Sequence, residues 1–245
     1  MSSAALLTAE GLTKRFGGVV AVEDCTFSVP TGTITALVGP NGSGKTTVFN
    51  LLTGYLRADA GTVAFAGRRI RRPDPIRLYR AGLTRTFQQA RIFPDLTLVE
   101  NLVVAIQQPW RTIVCRAIGR DDRSRAFELL EEFGLVQLAE ARAGSLSYGQ
   151  KKLLEFATVL MAEPQLVLLD EPTAGVNPVM VAAIETRIRE LNARGLTFLV
   201  VEHNMNLVMR LCDPVIVLDH GTKLAEGRPA DVRNDARVLD AYLGA

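Results

Sequence analysis

The sequence predicts an α/β fold, with a mainly parallel central sheet and a helical lobe inserted into it, on three observations. The apolar runs Leu166–Asp170 and Phe198–Val201 are continuous rather than alternating, as strands covered on both faces must be. Between them, Val181, Ile184, Ile188 and Leu191 recur at helical spacing over Pro178–Arg194, giving a strand, helix, strand succession. From about Asp95 to Ala143 the pattern lengthens into helical segments, such as Ala126, Leu129, Leu130 and Phe133 in a helix closed by Gly134.

The other elements follow in chain order. Val19–Val22, Thr26–Val29, Thr33–Val38 and Thr62–Phe65 are short apolar runs separated by Pro30, Gly32, Gly61 and Gly67, and read as strands. The third of them enters a Gly-rich loop and then a helix over Thr46–Tyr55. A helix is expected over Tyr148–Met161, with Ser147 as its cap. Near the end, Val215–Leu218 and Lys223–Ala225 are predicted to form a hairpin around His220 and Gly221, followed by one short helix over Ala230–Leu243. No internal repeat, linker or low-complexity stretch interrupts the chain.

Composition excludes several classes. At 245 residues, 48% of them hydrophobic, the chain can bury a substantial core and is neither disordered nor fibrous. Its 28 basic and 26 acidic residues leave a net charge of +2, too balanced for wholesale binding to nucleic acid or anionic lipid. Cys25, Cys115 and Cys212 are widely spaced and odd in number, which predicts reduced thiols rather than a disulfide framework or zinc site. No apolar stretch approaches the roughly 18 residues of a spanning helix and no leader pattern opens the chain, so it is expected to be soluble on its own. Arg68, Arg69, Arg71 and Arg72, with Arg77, Arg80 and Arg85 downstream, lack interleaved aromatics and read as a solvated hairpin and neighbouring helix.

Two motifs carry chemistry. Gly39-Pro40-Asn41-Gly42-Ser43-Gly44-Lys45-Thr46-Thr47 fits the phosphate-binding pattern GxxxxGK[ST] and lies between a predicted strand and helix. Its glycines let successive N–H groups point at phosphate oxygens, Lys45 sets an ammonium against the β and γ phosphates, and the Thr46 hydroxyl can ligate Mg²⁺. The second motif is the apolar run Leu166–Leu169 ending in Asp170 and Glu171. Ligands of parallel sheets bind at the C-terminal strand ends, which predicts that this tip lies beside the phosphate loop. Asp170 would then hold Mg²⁺ through water, with Glu171 polarising the attacking water as general base.

A short helix upstream of that strand, Leu146-Ser147-Tyr148-Gly149-Gln150 resembles the signature motif of ABC transporter ATPases, and the likeness runs from Phe16 to the C-terminus with the motifs in the family's order. The resemblance implies a P-loop NTPase fold with an N-terminal antiparallel β subdomain and an inserted α-helical subdomain. Residues 1–94 and 164–245 would form the ATP-binding core, and 95–163 the helical subdomain. It implies ATP and Mg²⁺ as ligands, with Phe16 stacking on adenine and Gln88 contacting the metal, although Gln89 follows directly. His203 would touch the γ-phosphate and Glu171. Ser147, Gly149 and Gln150 would complete the nucleotide pocket of a second ATPase subunit, the same chain or a homologue, in a head-to-tail dimer. Asn177 stands where many members have Asp, and Tyr148 where many have Gly.

Both departures resemble the ATPases of branched-chain amino acid uptake, as do Arg85-Thr86-Phe87-Gln88, Leu96–Leu102, Lys151 and Lys152, and Ala241-Tyr242-Leu243-Gly244. That narrower likeness implies import through separate integral-membrane permease subunits at the cytoplasmic face, fed indirectly by a periplasmic or extracellular solute-binding protein. Urea or amide uptake and lipopolysaccharide export are the neighbouring alternatives. A soluble ABC ATPase of another kind would show tandem domains, coiled-coil insertions or zinc-site cysteines, and no nucleic-acid partner is expected. Trp110, Ile113, Val114 and Ile118 either pack within the helical lobe or line a groove for a membrane-subunit helix.

Overall fold

The computed structural model describes residues 4–71, 73–86, 92–106 and 120–243. Gln88, Gln89, Cys115, Trp110, Ile113, Val114, Ile118 and Gly244 lie outside these described residues.

Two sheets organise the chain. Strands β1 (Ala5–Phe16), β2 (Val19–Pro30), β4 (Ala60–Phe65) and β5 (Arg68–Arg69) form a four-stranded sheet in the order β2-β1-β4-β5, antiparallel throughout. The second sheet has six strands in the order β10-β9-β3-β8-β7-β6. It comprises β3 (Ile34–Val38), β6 (Leu83–Arg85), β7 (Leu166–Asp170), β8 (Thr197–Val201), β9 (Val215–Asp219) and the edge strand β10 (Thr222–Gly227). All its pairs are parallel except β9 with β10, the predicted hairpin.

Three differences from the sequence expectation have local causes. Strand β1 was not anticipated, because Gly11 adopts φ 59° and interrupts the alternation of buried Leu7, Ala9 and Leu12. Its N–H donates to the Thr26 hydroxyl at 2.8 Å, at a shift in the register between β1 and β2. The two runs expected on either side of Asp24 are one strand, β2, in which Asp24 itself takes φ 45°. The single C-terminal helix is two, α8 (Pro229–Arg233) and α9 (Ala236–Leu243), since Asn234 and Asp235 turn the chain between them. The Asp235 carboxylate then accepts from the Arg237 N–H at 2.9 Å, where the second helix begins.

Helix α1 (Lys45–Leu52) lies between the sheets and buries Val48, Phe49 and Leu52 against Leu7, Leu12 and Phe27 on one side and Leu37, Leu168 and Leu199 on the other. The opposite face of the central sheet, with Val38, Val167 and Val200, packs on a larger core. That core is built from α5 (Tyr148–Leu160), α6 (Pro178–Ala193), α7 (Met205–Leu211) and the helices α3 (Leu98–Val104) and α4 (Arg120–Glu132). Helix α2 (Pro75–Arg80) leads into β6 and is capped by Asp74. Among the described residues no helix is long and apolar enough to cross a membrane. Burial raises the Cys25 thiol to about 11 and the Cys212 thiol to about 12, so both stay protonated as small apolar residues.

The entry to α3 rests on one buried amide. Thr97 and Glu100 form a reciprocal cap, and Asn101, 2% exposed, accepts from Phe93 N–H at 2.7 Å and donates to the carbonyls of Phe93 and Thr97 at 3.0 and 2.9 Å. Asn101→Ala would leave the Phe93 N–H without its acceptor and take one of two donors from the Phe93 and Thr97 carbonyls, which keep the backbone N–H groups of Leu96 and position 101. The expected loss of stability is about 2–3 kcal/mol, read as a lower urea midpoint with unchanged slope.

Candidate functional site

Strand β3 delivers the phosphate-binding pattern to the C-terminal edge of the sheet. The loop closes tightly: a Cβ at Gly39 would sit 2.1 Å from the Leu218 carbonyl oxygen, and one at Gly44, which has φ 97°, 2.5 Å from that of Ala21. Only glycine lets the backbone lie there and leaves N–H groups lining a concavity at the start of α1. Lys45 is buried and donates to the carbonyls of Gly39 and Pro40, both at 2.8 Å. Burial pulls its ammonium below the ordinary lysine range, with the Glu171 charge acting the other way. Thr46 and Thr47 follow on the first turn, Thr46 exposed.

The tips of β7 and β8 meet beside this loop. Glu171 takes φ 49°, a left-handed conformation costing roughly 1–3 kcal/mol for such a residue, and its N–H is fixed on the Val201 carbonyl at 2.9 Å. Its Oε1 lies 2.9 Å from Nε2 of His203, so the structure brings these two sequence-predicted residues together. His203 and the loop residues Gly39, Asn41, Gly42 and Ser43 line one cleft of about 920 Å³. Phe16, at the end of β1, is 47% exposed, with the Lys14 ammonium 5.5 Å from its ring centre. The same hairpin touches the phosphate loop where Ala21 meets Gly44.

Sequence reasoning missed three contributors. Arg85, read as one of a solvated cluster, is instead buried: its side chain is 8% exposed and donates to Asp170 Oδ2 at 2.5 Å and to Asn50 Oδ1 at 2.6 Å. No local signal marks it, because Arg85 stands between Thr84 and Thr86 and its burial comes from the pairing of β6 with β7. Arg68, Arg69, Arg71, Arg77 and Arg80 are exposed as expected. Glu202, 5% exposed, accepts from Thr173 N–H at 3.1 Å, His203 N–H at 3.1 Å and Asn204 N–H at 3.3 Å, and from the Thr173 hydroxyl through a short bond. It ties the segment after Glu171 to the one carrying His203. Tyr242, on α9, lines the same cleft as the phosphate loop together with Arg237 and Asp240. Burial raises its phenol, and the Gly39 backbone hydrogen bond opposes that shift.

Ser147, Gly149 and Gln150 line neither this cleft nor the one beside Glu171 and Glu202. Ser147 caps α5, accepting from Gln150 N–H at 3.4 Å while the Gln150 side chain accepts from Ser147 N–H at 3.0 Å. A Cβ on Gly149 would approach Met180 to 2.9 Å, and the half-exposed Tyr148 ring faces Gly175. Asn177 has a role of its own as cap of α6, accepting from Met180 N–H at 3.0 Å.

The Asp170 carboxylate at the tip of β7 and the Thr46 hydroxyl at the start of α1 offer oxygen donors, and the described residues hold no cluster of three or more His, Cys, Asp or Glu that could ligate a metal. Such a set fits Mg²⁺, which keeps waters and takes much of its shell from substrate phosphates, and it does not fit zinc.

Comparisons with known proteins identify the family and the fold. The family model described as ABC transporter matches residues 22–174, and one described as branched-chain amino acid ATP-binding cassette transporter matches residues 222–245. The high-affinity branched-chain amino acid transport ATP-binding protein LivG of Salmonella typhimurium is 39% identical over 98% of both chains. BraF of Pseudomonas aeruginosa, with the same description, is 38% identical over 98% of both. An ATP-binding cassette of an ABC transporter solved in its ADP conformation superposes with a TM-score of 0.88 at 35% identity, covering 99% of this chain and 100% of that one. A dimeric post-hydrolysis cassette bound to ADP and Pi gives 0.77 at 25% identity, covering 91% and 98%.

Glu202→Ala would leave three backbone N–H groups and a hydroxyl without their acceptor. We expect a stability loss of about 2–4 kcal/mol in urea and, in a crystal structure, separation of Glu171 from His203. An unchanged pair distance would show that Glu202 does not position it.

Proposed function

The chain belongs to the ABC transporter family as an ATP-binding, ATP-hydrolysing subunit, and from that premise we propose that it powers import of branched-chain amino acids or a related small solute through membrane subunits on other chains. The likeness to LivG and BraF over the whole chain carries this reading, and the match over residues 222–245 supports it. In the same reading the chain sits at the cytoplasmic face of the membrane, held there by permease subunits. Tyr55 and Ile76, both exposed, flank a groove with Leu78 and Tyr79 that suits an apolar helix of such a subunit. A solute-binding protein outside the membrane would act on this chain only through the permease.

The residues divide the chemistry as follows. Lys45 exchanges the Gly39 and Pro40 carbonyls for the β and γ phosphates of ATP, which the N–H groups of Gly42, Ser43, Gly44, Thr46 and Thr47 cradle. Asn41 borders them in the same cleft, and Phe16 stacks on adenine. Thr46, Asp170 and Gln88 would hold Mg²⁺, which neutralises phosphate charge when bound. Glu171 accepts a proton from the attacking water as its oxygen bonds to the γ-phosphorus. The bond from that phosphorus to the bridging oxygen breaks, leaving ADP and phosphate. His203 holds Glu171 by Oε1 and so fixes the direction of attack. Ser147, Gly149 and Gln150 present a capped helix start to the γ-phosphate held by a second subunit, which is why they line neither cleft of their own chain.

Two substitutions test this division. Glu171→Gln should lower the hydrolysis rate by roughly 10²–10⁴-fold, with ATP affinity within about threefold and an ATP-locked dimer visible by size exclusion. Unchanged turnover would remove Glu171 as the base. Ser147→Asp keeps a good helix cap but sets a negative charge against the partner's phosphate. ATP binding to the monomer should persist while dimer formation and hydrolysis fall at least tenfold; equal loss of monomer binding would refute the two-subunit site.

A further inference from the structure

We infer that Arg85 is a built-in counter-cation for Asp170, one that competes with the divalent metal for this carboxylate and so sets how strongly Mg²⁺ tightens nucleotide binding. The inference rests on the reading of Asp170 as the metal-facing carboxylate. Asp170 is 8% exposed at the tip of β7, where an unpaired charge is costly, and its Oδ2 is held by Arg85 Nη2 at 2.5 Å. The backbone N–H of Asp170 meets the Thr86 hydroxyl at 3.4 Å, so two successive residues of the β6 end fix it.

Arg85 does not depend on Asp170 for its place. Its other terminal nitrogen donates to Asn50 Oδ1 at 2.6 Å, and its guanidinium carbon lies 5.5 Å from the centre of the Phe49 ring. Both partners are on α1, the helix that carries Lys45 and Thr46. The guanidinium thus bridges the phosphate-loop helix and the acidic strand tip with a permanent positive charge. A divalent cation reaching Asp170 meets that charge in a poorly solvated setting, where repulsion is only weakly screened. It must share the carboxylate or displace the arginine from it, and either way its binding is weaker than to the same carboxylate alone. In return, Asp170 is neutralised whenever the metal is away. Arg85 is therefore a positioning residue whose charge, not only its packing, matters to the site.

The test uses ADP as probe, so that no turnover enters, and measures its Kd with Mg²⁺ and with EDTA by calorimetry. In Arg85→Met the factor by which Mg²⁺ tightens ADP binding should rise about tenfold over wild type. The nucleotide-free variant should melt about 5–10 °C lower, with part of that loss recovered by Mg·ADP beyond the gain wild type shows. Arg85→Lys, which keeps the charge, should keep the Mg²⁺ factor within about threefold of wild type. If the Met variant is too unstable to purify, Arg85→Gln removes the charge while keeping a hydrogen-bond donor, and the same rise is expected. An unchanged or smaller Mg²⁺ factor in the uncharged variants would overturn the inference, leaving a plain brace between α1 and β7. Asp170→Asn separates the two readings. Loss of the Mg²⁺ effect there, with no rise in Arg85→Met, overturns the counter-cation alone; retention of the effect means the metal reading fails and takes the inference with it.

Discussion

The site depends on one piece of backbone pairing, the placement of β8 between β3 and β7 in parallel register. Val201 is the partner of Leu37 on one side and of Asp170 on the other. The residues just beyond these three, at Gly39, Glu171 and His203, therefore leave the sheet at one level and on one edge. The strands are buried on both faces, so a slip of one residue would exchange the small core around α1 for the larger core of helices at every position. Register is thus fixed by packing on two sides, and the chemistry inherits that precision. The Glu171 N–H bond to the Val201 carbonyl continues the pairing one residue past β7 and holds a left-handed conformation that a loop alone would not keep.

Gathering strand ends also gathers charge. Asp170, Glu171 and Glu202 all emerge at this edge, and each has an assigned partner: Arg85 for the first, His203 for the second, and a set of N–H and hydroxyl donors for the third. The partners differ in kind, and so do the consequences. Glu202 is satisfied by neutral donors from two segments, an arrangement that fixes backbone without introducing a second charge. Glu171 meets an imidazole, whose hydrogen bond can orient the carboxylate without the permanent charge of an arginine. Asp170 is hydrogen-bonded directly by a permanent cation. Three carboxylates of similar intrinsic chemistry are thereby separated into a fastener, a histidine-paired group that is the proposed base, and an arginine-paired edge.

Much of this was legible in the sequence, because contiguous motifs report local geometry. The Gly39–Thr47 pattern between a strand and a helix, and the apolar run ending in Asp170 and Glu171, each encode strand, turn and site within a few residues. What escaped reading depends on partners distant in the chain. Arg85 looks like a member of a basic cluster until β6 is known to pair with β7. Glu202 is one residue before the recognised His203, yet its meaning comes from Thr173 across the sheet edge. Strand β1 was hidden by Gly11, whose positive φ breaks the alternation on which strand recognition relies, and the helix break at Asn234 was masked by apolar spacing on both sides. In each case a local rule gave way to a tertiary contact or a turn conformation.

The two departures from the wider family pattern can be accounted for within the chain itself. Tyr148 lays its ring beside Gly175, Gly149 approaches Met180, and Asn177 caps the helix that Met180 belongs to. These contacts join the start of α5 to the segment that runs from Glu171 into α6. Thr173 also ties the same segment to Glu202, which leads to His203. A continuous set of contacts thus runs from the start of α5, the surface proposed to meet a second subunit, through the capped start of α6, to Glu171 and His203. Tyr148 adds a wide aromatic face where glycine would add none, and Asn177 supplies a neutral cap where aspartate would add charge. In the proposed dimer, the half-site this chain would lend and the one it would keep are therefore packed as one unit.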